Sequence, residues 1–209
     1  KSSSVVDGDI VGMSSSKLSG TLPAVSGANL TNLPAANLTG VLPAISGANL
    51  TNLPAGGKFA SYAIICDQKA TNAVGGTPST GTFNTRDLNT ELVDDDNIVS
   101  ISSNQFTLQA GTYLLRASAP AYRAGRHQIL INNVTDSSVA AVGTSEYSVS
   151  SSNTLTRSFA QGRVTIGAAK AFDIRHRVES ADPNNGWGVE SNYDLQPTIY
   201  TVVEIYKES

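Results

Sequence analysis

Two histidines, His127 in RAGRHQIL and His176 in DIRHRVE, each stand beside arginine, and they are the only imidazoles of the chain. A catalytic triad therefore has few bases to choose from. The expected role of each is that of a satisfied core or interface histidine. The sharper alternative is a ring of histidines binding a metal on the symmetry axis of an oligomer. Polysaccharide hydrolysis usually needs two carboxylates flanking the scissile bond. Here the acidic residues sit in turns, with Asp94, Asp95 and Asp96 in LVDDDN and Asp182 and Asp194 flanking GWG. The triple aspartate reads as a solvated turn, with a weak calcium site as its alternative. GxSxG, phosphate-loop and HExxH patterns are absent from the sequence. The expectation is a non-catalytic chain with no cofactor and no metal.

Recognition chemistry is better represented. The single tryptophan, Trp187, lies in ADPNNGWGVESNYD with Asn184, Asn185, Asn192 and Tyr193 close by in sequence. An indole face among amides suits a sugar, whose C–H patches stack on the ring while amides read hydroxyls. The competing reading is a Trp packed into the core beside an Asn-rich turn. A second candidate is PAYRAGRH, where Tyr122, Arg123 and Arg126 can meet acidic sugars or phosphates. The same arginines also suit an intersubunit salt bridge.

These segments need a scaffold, and its signals are those of strands. From Lys58 onward, apolar or alternating runs appear in FASYAIIC, NIVSIS, QFTLQ, GTYLLRASAP, RHQILIN, SVAAVGTS, TLTRSFAQ, RVTIG, AFDIRHRVES and PTIYTVVEIYK. Turn-rich segments separate them: GGTPSTG, DDDN, QAG, NNVTDS, SVSSSN, GAAK and ADPNNGWG. No helical period is sustained, and the pattern predicts an all-β antiparallel sandwich or jelly roll. Alternation in FDIRHRVES puts Phe172, Ile174, His176 and Val178 on one face, and Asp173, Arg175, Arg177 and Glu179 on the other. Large residues on both faces of IYTVVEIYK mark the last strand as an interface element. Cys66, the one cysteine, sits in an apolar run and is expected to be a buried thiol.

Composition narrows the partners. Charged residues are 15% of the 209, and the net charge is −3. Nucleic acid and membrane surfaces, which call for clustered Lys and Arg, are poor partners for such a chain. No run reaches the roughly 20 apolar residues that cross a bilayer, and the N-terminus has no signal-peptide pattern. Three NLT triplets, by-products of one repeat, and the NVT at 133–135 match the glycosylation acceptor, and the matches are expected to be coincidence.

The N-terminal quarter carries a repeat. KLSGTLPAVSGANLTNLPAA (17–36) and NLTGVLPAISGANLTNLPAG (37–56) differ at five of 20 positions. Prolines 23, 34, 43 and 54 exclude a continuous helix and a central strand. Leu18, Leu22, Leu30 and Leu33 return as Leu38, Leu42, Leu50 and Leu53, with Val25 matched by Ile45. One extended chain has nothing to bury these against, and two copies fall short of the roughly three repeats of a self-supporting solenoid. Wrapping identical chains around one axis supplies the partners. The expectation is an oligomeric shaft over 1–57 and an all-β sandwich or jelly-roll head over 58–209, the alternative for the shaft being a disordered linker.

The shaft pattern LTNLPAANLTGVLPAISGANLTNLPA, followed by LQAGTYLLRASAPAYRAGRHQILIN, AVGTSEYS, TRSFAQGRVTI, FDIRHRVES, GWGVESN and YTVVEIYKE, resembles the C-terminal region of tailed-bacteriophage tail fibres. Similar sequences occur in fibre-like proteins of large algal viruses. The strand order is also similar, at the level of fold, to trimeric jelly-roll heads of the tumour-necrosis-factor and complement-subcomponent type. The resemblance implies a homotrimer at the distal tail fibre of a virion, acting outside the cell. Its shaft would join an upstream part of the fibre, and its head would bind a host cell-surface glycan or protein. A purely structural trimerisation tip and a capsule depolymerase are the alternatives.

Overall fold

The computed structural model describes residues 57–191 and 196–209. The eight shaft leucines (Leu18, Leu22, Leu30, Leu33, Leu38, Leu42, Leu50 and Leu53) lie outside the described residues, as do Asn192, Tyr193 and Asp194.

Among the described residues every regular element is a strand: β1 (Phe59–Lys69), β2 (Phe83–Thr85), β3 (Thr90–Val93), β4 (Val99–Ser102), β5 (Gln105–Leu108), β6 (Gly111–Tyr122), β7 (Gly125–Asn133), β8 (Ser138–Val142), β9 (Glu146–Ser148), β10 (Leu155–Ile166), β11 (Lys170–Val178) and β12 (Thr198–Glu208). A five-stranded sheet runs β10-β6-β12-β1-β3, and a second runs β4-β5-β11-β7-β8 with β2 on β11 and β9 on β7. All pairings are antiparallel, giving a jelly-roll-like sandwich.

The long apolar runs became the long strands. TLTRSFAQ and RVTIG, which read as two, form the single strand β10, paired with β6 without a break from Leu155 to Ile166. β2, β3 and β9, of three or four residues, were not distinguished by alternation. The β4–β5 hairpin closes through Ser103 and Asn104, both at positive φ (53° and 63°). That is the pair of left-handed residues a two-residue I′ turn requires. LVDDDN is a turn as expected: Asp94 accepts from Ile98 N through Oδ1 (2.8 Å) and from Val99 N through Oδ2 (3.1 Å), capping the entry to β4.

Between the sheets, Phe106 of β5 stacks on Phe172 of β11 at 5.5 Å, among Ile65, Leu115, Ile129, Ile174 and Val203. Phe172, Ile174, His176 and Val178 all point inward, as alternation predicts. The opposite face is less simple. Asp173 is also buried, because Thr85 Oγ1 and Asn132 Nδ2 both donate to it, at 3.0 and 2.9 Å. Cys66 is buried and unpaired, with burial and then the neighbouring Asp67 pushing its thiol up. Asn133 of the NVT triplet is buried too, its amide donating to Asp136 Oδ2 at 2.8 Å. Truncating a stacked core ring removes transfer energy and leaves a cavity. Phe172→Ala is expected to cost about 3–5 kcal/mol, read as a lower urea midpoint with unchanged slope.

Candidate recognition surface

The two recognition segments, some 60 residues apart in sequence, meet at one end of the sandwich. Tyr122 ends β6, Arg123 follows it in the turn to β7, and the β11–β12 connection carries Asp182 to Trp187. Tyr122 N donates to Gly186 O at 3.0 Å, and Arg123 Nη1 lies 3.3 Å from Asp182 Oδ2. The loop between β9 and β10 closes the third side: Tyr122 Oη donates to Asn153 Oδ1 (2.7 Å) and Arg123 Nε to Ser150 O (3.1 Å). Arg123 itself is left-handed, at φ 51°. Its conformation is held by its own N–H, which donates to Thr154 O at 3.0 Å.

The β1–β2 connection is the fourth wall. Trp187 N donates to Gly76 O, Gly75 N to Gly188 O and Gly76 N to Asn184 O, at 2.8–3.0 Å. At Gly75 a Cβ would lie 2.6 Å from the Trp187 carbonyl carbon, so only glycine lets the two backbones meet. Gly188, at φ 136° against the Tyr200 ring, is under the same constraint. The GWG glycines serve close packing.

Trp187 is accordingly half-buried. Its ring stacks with His176 at 4.8 Å, the Arg86 guanidinium carbon sits 4.3 Å from its centroid, and it packs on Ala121, Ala124 and Val178. The indole is thus committed to the interior. What this end presents to solvent is Asn184, Asn153, part of Asn185, and the edges of Tyr122 and Arg123. Arg126 sits apart, exposed on β7 and paired with Glu179 within the same chain (Nη1–Oε1, 2.8 Å).

Sequence reasoning did not single out Arg86, which lies in the short link between β2 and β3 and is 1% exposed. Its Nε donates to Thr201 Oγ1 (3.0 Å), Nη1 to Pro120 O (3.4 Å) and Nη2 to Trp187 O (3.1 Å). Burial lowers its pKa to about 9, so it stays charged at neutral pH. In sequence it is one arginine in the polar run NTRDLN, which nothing marks as buried.

Both histidines are enclosed beneath this end. His127 Nδ1 and His176 Nε2 are 3.0 Å apart, and His127 Nε2 is 2.7 Å from Thr156 Oγ1. Their burial inside one chain is at odds with a metal ring gathered from the surfaces of several copies. Burial depresses both, His127 to about 4, and Arg86 adds to the effect on each. In the neutral pair one imidazole donates to the other, and among the described residues His176 Nδ1 is buried without a partner.

No protein-family model matches this sequence, and comparison with curated proteins finds no match. Among solved structures, the chain is similar to a crystal structure of murine APRIL, with 6% identity and a TM-score of 0.44 over 70% of this chain and 98% of that one. It is also similar to the globular domain of zebrafish complement 1qA protein, with 11% identity and a TM-score of 0.46 over 70% of this chain and 96% of that one.

The buried pair sets a pH dependence. Unfolded imidazoles bind protons below about 6.5, whereas the folded pair resists protonation until well below that. The unfolded state then holds more protons, so stability is lost as pH falls below about 6.5, by up to about 1.4 kcal/mol per pH unit for each histidine. Glu146, facing His127, moderates the effect and Arg86 reinforces it. Urea titrations between pH 7.5 and 4.5 are expected to show this decline, and His127→Gln to flatten it.

Proposed function

We propose that the protein is the distal tip of a homotrimeric viral fibre that attaches a virion to a host cell-surface glycan or protein without catalysis. The observation that carries this reading is the convergence of Tyr122, Arg123, Asn153 and Asn184 from three connections on one rigid, mostly uncharged loop end. Hydroxyl, guanidinium and amide groups fixed on a sandwich suit a polyhydroxylated ligand. The leucine repeat, which needs partner chains to bury its apolar side chains, and the fibre resemblance add the shaft and the virion.

The oligomeric half of the reading is supported by the outer face of the five-stranded sheet. Across its strands run rows of Cα partners: Tyr62–Tyr206–Leu114 and, on the next row but one, Val202–Ser118–Phe159. Phe159 is 55% exposed and Val142, lining the same groove of about 460 Å³, is 63% exposed. Only the Arg116–Glu204 pair interrupts the groove's floor with charge. Copies packed on this face would shield those rings, and three tips acting together would turn weak contacts into firm adsorption.

Light scattering coupled to size exclusion is expected to give a mass near three chains. Phe159→Asp is expected to shift it to one chain while the β spectrum in the far ultraviolet persists; a monomeric parent would remove the trimer. In a binding assay on host cells, Arg123→Ala and Tyr122→Ala trimers are expected to adsorb at least about tenfold less, as loss of a charge-assisted contact implies. Full adsorption by both would reject the loop end as the receptor site, whereas a parent trimer that does not adsorb would leave the structural-tip reading in place of attachment.

A further inference from the structure

The outer face of the seven-stranded sheet holds a group that the loop end does not use. Phe83, Arg177 and Gln128 are Cα partners in one row across β2, β11 and β7, so their side chains stand on one face. Arg126 and Tyr147 pair in the adjoining row. Together with Ser145 and Glu179, the first of these rows and Arg126 line a recess of about 420 Å³, within the usual span of small-molecule sites, roughly 300–1,000 Å³.

Its charges do not cancel. Glu179 is occupied by Arg126, whose backbone N–H and guanidinium both hold the carboxylate and keep its pKa low. Among the described residues, Arg177 is exposed and has no ion-pair or hydrogen-bond partner. The recess thus offers one uncommitted guanidinium. Gln128 is oriented by its own amide, which donates to Gly143 O at 2.7 Å, leaving its carbonyl oxygen to accept from a ligand hydroxyl. Phe83, 41% exposed, borders Arg177, and Tyr147, 55% exposed, lies beside Arg126.

We infer that this recess binds a carboxylated sugar, such as a uronic or sialic acid residue of a host glycan. The Arg177 fork matches a carboxylate in two parallel hydrogen bonds. Phe83 supplies a face for the C–H side of the pyranose, and Gln128 and Ser145 read hydroxyls. A bare phosphate would leave the aromatic border unused. Nucleic acid would demand a row of cations where there is one spare guanidinium. The inference rests on the attachment reading and names a ligand class for it, at a site separate from the loop end.

The test is titration of the full-length protein by ligand-observed NMR with a glucuronic-acid disaccharide, its methyl ester, sialyllactose and inorganic phosphate. The expected result is saturable binding of the uronate, sialyllactose or both. The corresponding ester is expected to bind at least about tenfold more weakly, since it keeps the shape but loses the charge that Arg177 reads. Arg177→Gln and Phe83→Ala should each weaken the acid sugar, and because both side chains are exposed, thermal unfolding should confirm that both variants remain folded. Arg123→Ala should leave this binding unchanged. Equal binding of ester and acid, an unaffected Arg177→Gln, phosphate binding as tightly as the sugars, or no saturation by either sugar overturns the site. Host adsorption separates this from the broader reading. Adsorption sensitive to Arg123→Ala with no acid-sugar binding rejects this site and keeps attachment; acid-sugar binding by a parent that never adsorbs to host cells does the reverse.

Discussion

A charged guanidinium buried without a carboxylate partner organises one whole end of this molecule. Arg86 is taken from water at a cost that directed hydrogen bonds, a π face and the nearby Asp67 and Asp87 charges offset. Its donors reach a hydroxyl on β12, a carbonyl on β6 and the carbonyl of Trp187, while its own N–H donates to Ile174 O on β11 at 2.8 Å. One residue therefore joins both sheets to the GWG loop. The loop end stays in register only while these acceptors stay in place, and the same positive charge adds to the burial that keeps the histidine pair neutral.

That arrangement accounts for the division of labour around Trp187. The indole contributes to recognition, on the reading given above, by fixing the backbone that presents Asn184 and by shielding Arg86, not by offering a stacking face. Gly75 lets two connections touch along their backbones, while the glycines flanking the indole make room for the rings of Pro78 and Tyr200. Arg123 is bound on one side to Asp182 and on the other to the Ser150 carbonyl, so a ligand would meet it already oriented, with little ordering left to do.

The two outer faces of the sandwich differ in kind. The five-stranded sheet exposes aromatic and branched residues around the Arg116–Glu204 and Arg163–Glu208 ion pairs, a face that partner chains cover on the proposed reading. The seven-stranded sheet exposes arginines, a glutamine and isolated rings around a recess, which on the inference above takes a small polar ligand. Identical chains packed through the first would leave the second and the loop end facing outward, three times over.

The sequence by itself determined the strands whose period was long enough to read. β11 was legible from FDIRHRVES because every second residue is apolar or histidine, and Cys66 was legible as a buried thiol from its apolar neighbours. Asp173 was not: its burial depends on Thr85 and Asn132, which reach it from other strands. The segments PAYRAGRH and ADPNNGWG were both visible as candidates, since arginines, aromatics and amides in turns are local features. Their union through Tyr122–Gly186 and Arg123–Asp182 was not, because hydrogen bonds between distant loops leave no periodic trace. Likewise, a lone arginine reads as solvated until tertiary structure closes over it. Local patterning fixed which residues face the core, while only the packing of four connections decided that Arg86 lies beneath the loop end and that Trp187 is turned toward it.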